Sequence, residues 1–187
     1  MKIKLIVFFV LLLSSNLHSS EWMTELRGGY FYPTSKKFRE IYKDGGLEGE
    51  VEFSKTYREN LIVWGNINYF QRKGRSLGFH DKTTLNMIPI SLGLKYQFLS
   101  CSCISPYLGA GLSYTFLNIK NDSEFAKRHV TKGSFGFVLK SGTYINLSEK
   151  FLLDLFLDYY YQEVHFYSKH KVDVGGLRMG MGLGYRF

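Results

Sequence analysis

From residue 21 onward, apolar and polar side chains alternate with a period of two, in eight separate segments. The last is the clearest. Leu177, Met179, Met181, Leu183, Tyr185 and Phe187 alternate with Arg178, Gly180, Gly182, Gly184 and Arg186. A period of two sends these sets to opposite faces of one strand. A face of glycine and arginine is too small to be an ordinary solvent coat. It suits the lumen of a narrow barrel, with the apolar face turned to lipid.

The other segments span residues 21–32, 47–57, 61–70, 85–98, 106–117, 134–146 and 151–166. Each is about as long as a tilted strand that crosses a bilayer, roughly 9–11 residues. Connections around 58–60, 99–105 and 147–150 are short, whereas those around 33–46, 71–84, 118–133 and 167–173 are longer. This rhythm predicts an all-β, eight-stranded antiparallel up-and-down transmembrane β-barrel. Aromatic clusters at strand ends predict two girdles. Tyr30, Phe31, Tyr32, Tyr69, Phe70, Tyr114, Phe116, Tyr159, Tyr160 and Tyr161 would form the outer one, and Tyr57, Tyr96, Phe98, Tyr144, Tyr185 and Phe187 the inner. A soluble ligand-binding barrel would instead enclose its apolar face around a cavity, leaving glycine as the solvent coat.

The amino terminus reads differently. Lys2 and Lys4 precede an unbroken apolar run from Leu5 to Leu13, and Ser14, Ser15, Ser19 and Ser20 follow. The run is too short for a transmembrane helix and has the layout of a secretory signal, expected to occupy residues 1–20. The barrel domain is then residues 21–187, one domain by length. Removing Lys2 and Lys4 lowers the formal charge from +8 to about +6. In an exported chain with no compact basic helix, that balance points to anionic lipid head groups or glycans rather than nucleic acid. Cys101 and Cys103 lie too close for an unstrained bridge, leaving intermolecular pairing or free thiols open.

Residues 28–33 (Gly-Gly-Tyr-Phe-Tyr-Pro), 89–96 (Pro-Ile-Ser-Leu-Gly-Leu-Lys-Tyr) and 106–111 (Pro-Tyr-Leu-Gly-Ala-Gly) resemble pieces of small eight-stranded bacterial outer-membrane proteins of the OmpW and OmpA/OmpX types. The resemblance implies an outer-membrane location and a Gram-negative envelope. It further implies that Tyr185 and Phe187, ending the closing strand, are read by the barrel assembly machinery. Such families include porin-like barrels, adhesins and structural barrels, so membership does not settle activity.

Two constellations carry candidate chemistry. The inward faces would gather Glu25, Glu48, Glu50, Glu52, Asp154 and Asp158 with Arg27, Lys95, Lys140, Arg178 and Arg186, six acids against five bases. The interior of an eight-stranded barrel is filled by its side chains, and charges withdrawn from water need partners. A salt-bridged plug is the expected outcome, and a gated polar path or proton relay the alternative. The longer connections hold fourteen basic against six acidic residues. Lys36, Lys37, Arg39, Lys127 and Arg128 are the expected contacts to lipopolysaccharide, outer-membrane lipid or another anionic surface ligand. Residues 35–42 could form a helical turn with Phe38 and Ile41 on one side, capping the barrel mouth or lying at the interface.

His80, His129, His165 and His170 show no metal-ligand spacing, Ser168 beside histidines is commonplace, and the glycines form no phosphate-cradling loop. No metal, cofactor or catalytic residue is expected. The expected role is therefore structural or adhesin-like and non-enzymatic, with a narrow OmpW-like channel for small or hydrophobic molecules as the alternative.

Overall fold

In the computed structural model, residues 21–42, 45–75, 82–98, 103–121, 129–166 and 170–187 are described. The expected secretory signal, Cys101, Lys127 and Arg128 lie outside them. The strands are β1 (Trp22–Pro33), β2 (Gly46–Arg58), β3 (Leu61–Arg75), β4 (Lys82–Gln97), β5 (Ile104–Asn121), β6 (His129–Asn146), β7 (Phe151–Phe166), β8 (His170–Asp173) and β9 (Gly176–Arg186). One helix, α1 (Lys36–Tyr42), follows β1. Every pairing is antiparallel. Consecutive strands pair from β1 to β7, β7 pairs with β9, and β9 returns to β1, closing an eight-stranded barrel. The short β8 only extends β7 above the wall.

Alternation dictates which side chains enter. On β9, Met179, Met181 and Leu183 are 51–61% exposed, while Arg178, Gly182 and Gly184 between them are buried. The same parity holds on β4, where Ile88, Ile90, Leu92 and Leu94 face out and Ser91 and Lys95 face in. No helix among the described residues is long and apolar enough to cross a membrane.

The strands are longer than alternation alone suggests. β3 continues to Arg75 and β4 begins at Lys82, while β5 reaches Asn121 and β6 begins at His129. Much of what the sequence assigns to loops is therefore ladder rising above the apolar belt. The end carrying α1 and these extensions is the loop-bearing end. At the other, Glu59 and Asn60 alone separate β2 from β3.

The girdles need correction. Tyr30, Tyr69, Tyr96, Phe98, Tyr161, Tyr185 and Phe187 do face outward, but Phe31, Phe70, Tyr144 and Tyr160 are at most 4% exposed and point into the barrel. Their parity, shared with Arg27, Asn68, Lys140 and Asp158 on the same strands, overrides their aromatic character.

Candidate functional site: a charged lumen under a helical cap

Large side chains crowd the lumen. Trp64 from β3 lies across β4 and β5, where a Cβ on either Gly93 or Gly111 would fall within 2.8 Å of its indole ring. Only glycine leaves room for an aromatic of that size in so narrow a section. Above this notch sits Lys140, its ammonium 4.6 Å from the Trp64 ring centre.

Arg27, from β1, occupies the axis. Its Nε donates to Asp154 on β7 at 2.9 Å, and its Nη1 to Glu50 on β2 at 2.7 Å and to Asp158 at 3.1 Å. Its Nη2 donates to the Tyr107 hydroxyl at 3.2 Å, and Tyr107 donates in turn to Asp154 at 2.9 Å. The guanidinium also lies 3.8 Å from the Phe156 ring centre. One planar fork thus ties together β1, β2, β5 and β7, a geometry suited to arginine and not to lysine. Lys140 bridges Glu50 and Glu52 at 2.8 and 2.6 Å. Lys95 donates to Glu52 and, at 2.9 Å, to the Tyr144 hydroxyl, which donates to Glu25 at 3.1 Å. Toward the loop-bearing end, Arg178 pairs with Glu48 and with Glu50 at 2.8 Å, its guanidinium 4.5 Å from the Tyr160 ring centre.

Ten of the eleven inward charged positions named from the sequence therefore come together. Arg186 does not join them: it is half-buried, donates to Asn146 at 2.8 Å and lines a recess at the turn-bearing end. Without it, six carboxylates face four cations, and Glu25 Oε2 has no hydrogen-bond partner. The sequence reading also passed over the aromatic lining. Trp64, Tyr107, Tyr144, Phe156 and Tyr160 place a ring against every one of those cations. Such stacking adds about 0.5–2 kcal/mol per pair where water is excluded.

A cavity of about 20 Å³, room for roughly one water, lies between Phe31, Glu48, Phe70, Tyr160 and Arg178. A recess of about 280 Å³ opens at the turn-bearing end between Met23, Ile62, Tyr144 and Arg186.

The mouth opposite is closed by α1. Ser35 accepts the Arg39 backbone N–H at 3.1 Å and starts the helix, and Arg72 Nε donates to the Tyr42 carbonyl at 3.3 Å, satisfying one of its last acceptors. Phe38 and Tyr42, one turn apart, drop into a cluster with Phe31, Phe70, Leu85, Met87, Leu117, Val164 and Val174. Burial holds the Tyr42 hydroxyl above its ordinary pKa of 10.0. Of the expected anion contacts, Lys36 is exposed on the helix, while Arg39 is half-buried, donating to the Tyr32 hydroxyl and lying over its ring. Lys37 is on α1, its side chain outside the description. Among the described residues no group of three or more histidine, cysteine, aspartate or glutamate side chains is arranged to hold a metal ion. Cys103 is exposed beside β5.

A closed eight-stranded wall with a lipid-facing apolar exterior and an ion-paired interior defines a small outer-membrane barrel. The chain belongs to the outer-membrane protein beta-barrel domain family, whose model matches residues 7–187. No curated protein matches it in sequence. Among solved structures it is similar to the outer-membrane protein OprG of Pseudomonas aeruginosa, at 16% identity over 90% of this chain and 96% of that one, with a TM-score of 0.65. Escherichia coli outer membrane protein W matches at 17% identity over 92% of this chain and 100% of that one, with a TM-score of 0.59. The attachment invasion locus protein Ail of Yersinia pestis, solved with the heparin analogue sucrose octasulfate, matches at 15% identity over 91% of this chain and all of that one, with a TM-score of 0.58. At these identities the likeness is one of fold.

Proposed function

We propose that this outer-membrane barrel is a structural and adhesive element of the cell surface, non-enzymatic, with a lumen closed to solutes and its loop-bearing end turned outward. The observation that carries the reading is Arg27 at the barrel axis. Its donors are engaged by acceptors on three other strands, so a solute would have to break several charge-assisted hydrogen bonds to pass. The α1 cap adds a second barrier of packed side chains above it. The adhesive part draws support from the fold shared with Ail, which has been solved with a heparin analogue, and from the basic residues at the same end of this chain.

Conductance across a planar bilayer tests the closed lumen. The refolded barrel should give no steady unitary current at neutral pH. Steady openings would reverse the reading and make the protein a narrow conduit for small or hydrophobic molecules.

A further inference from the structure

We propose that the recess at the turn-bearing end of the barrel is a binding site for short zwitterionic peptides, which carry a free carboxylate and a free ammonium group. This goes beyond the adhesive reading. The site lies at the opposite end from the cap and the basic loops, and does not depend on whether the lumen conducts. With the loop-bearing end outward, it opens to the periplasm.

The recess measures about 280 Å³. Ligand pockets run from roughly 300 to 1,000 Å³, so this one suits a ligand of a residue or two and no longer chain. Its floor is apolar. Met23 and Ile62 are buried there with Tyr144, in one cluster with Tyr107 and Leu152. The Tyr144 hydroxyl is taken up by Lys95 and Glu25 in the lumen network. What remains for a ligand is a ring and two aliphatic side chains, a surface for a methyl group or another small apolar side chain.

The walls are bipolar. Arg186 reaches from β9 past the start of β7 and donates to Asn146, at the end of β6, at 2.8 Å. That bond draws its guanidinium away from β1. Glu21, leading into β1, and Glu59, in the turn between β2 and β3, line the recess from the other side and are exposed. No ion pair among the described residues joins Arg186 to either carboxylate. The guanidinium is held by a neutral amide, which leaves its charge uncompensated.

Opposite charges that share a small recess without neutralising each other match a ligand that carries both. A carboxylate on Arg186 and an ammonium group at Glu21 and Glu59 would each gain charge-assisted hydrogen bonds. A purely cationic ligand would be repelled by Arg186, and a purely anionic one by the two carboxylates. Between the poles, Thr56, Gln97 and Ser105 line the recess and offer two hydroxyls and a carboxamide to a peptide bond.

The experiment titrates the full refolded barrel, in a non-ionic detergent, with alanyl-alanine and reads the heat of binding. The free dipeptide should bind saturably, and its N-acetylated and carboxamide forms each about tenfold more weakly. Arg186→Gln should bind the free dipeptide and the carboxamide alike. Glu21→Gln with Glu59→Gln should bind the free dipeptide and the N-acetylated form alike. Heat-modified gel mobility verifies that each variant is folded. The all-D and all-L dipeptides are titrated in parallel: preference for the all-D form assigns the site to cell-wall peptides, and any other order to peptides at large. Absence of saturable binding, or blocked dipeptides that bind as well as the free one, overturns the proposal. Neither result bears on conductance or on adhesion.

Discussion

Arg27 and Asp154 are 127 positions apart in the chain, yet their side chains meet over β9 at 2.9 Å with neither exposed to solvent. β9 alone separates β1 from β7, and both residues sit opposite its Gly182, which has no side chain to keep them apart. Breaking one partner of such a pair strands a charge where water cannot reach it, whereas removing both does not. Arg27→Met alone should cost about 3–5 kcal/mol, and Arg27→Met with Asp154→Asn distinctly less than the sum of the single changes. Urea titration of the refolded barrel in detergent, followed by tryptophan fluorescence, gives all four corners of the cycle. Additive effects would mean a hydrated lumen and would favour the conduit.

The seam between β1 and β9 tests which face meets lipid. Leu183 is 60% exposed in the apolar belt, and arginine near mid-bilayer costs roughly 2–4 kcal/mol. Gly182 faces inward, where a methyl would approach Arg27 Cγ at 2.7 Å. Gly182→Ala therefore displaces a flexible side chain and should cost roughly 1–3 kcal/mol. At Gly180 the same methyl would overlap the backbone of Gly28, which cannot move without opening the seam. The heat-modified band should survive in Gly182→Ala, weaken in Leu183→Arg and disappear in Gly180→Ala. A barrel that inserts normally with arginine at 183 would invert the facing.

The helical cap should loosen without the barrel. Phe38 is 3% exposed and Tyr42 6%, their ring centres 5.0 Å apart. Phe38→Ala should expose residues 34–46 to limited proteolysis while the urea midpoint of the barrel stays close to wild type. The raised pKa of Tyr42 fixes the direction of a pH effect: its contribution is complete below pH 10.0 and lost as pH climbs through the folded value. Tyr42→Phe should remove that alkaline increase in proteolysis.

Adhesion should be electrostatic. Retention of the refolded barrel on heparin should fall steeply between low and high salt, because exposed charges are screened beyond roughly 8 Å at physiological ionic strength. Replacing Lys36, Lys37, Lys127 and Arg128 by glutamine should abolish it. Arg39→Gln should contribute less, since its guanidinium is already engaged by Tyr32. Retention that ignores salt would argue against the adhesive reading.

Most of this architecture was legible from one rule. Alternation places Glu50, Lys140, Asp158 and Arg178 on inward faces, and the eight-strand count follows from the number of alternating runs. The same rule assigns Phe31, Tyr144 and Tyr160 to the lumen, but the expectation of aromatic girdles competes with it, and at these positions parity wins. What alternation cannot supply is which inward groups meet. Arg27, not Arg178 or Lys140, holds Asp154, and that follows from the register that sets both opposite Gly182 once the barrel closes. Strand ends were misjudged for a related reason. Above the belt the outward residues become polar, as at Gln71, Lys73, Asn118 and Lys120, so the contrast fades while the ladder continues.

The crosswise wiring of the lumen has a consequence for biogenesis. Arg27, on the first strand, finds Asp154 only when the seventh is in place, and Glu48, on the second, waits for Arg178 on the closing strand. A sheet lacking β9 would leave Glu48 without its cation, facing a half-formed interior. The completed cylinder brings each of these carboxylates its cation away from water, which an open sheet cannot do.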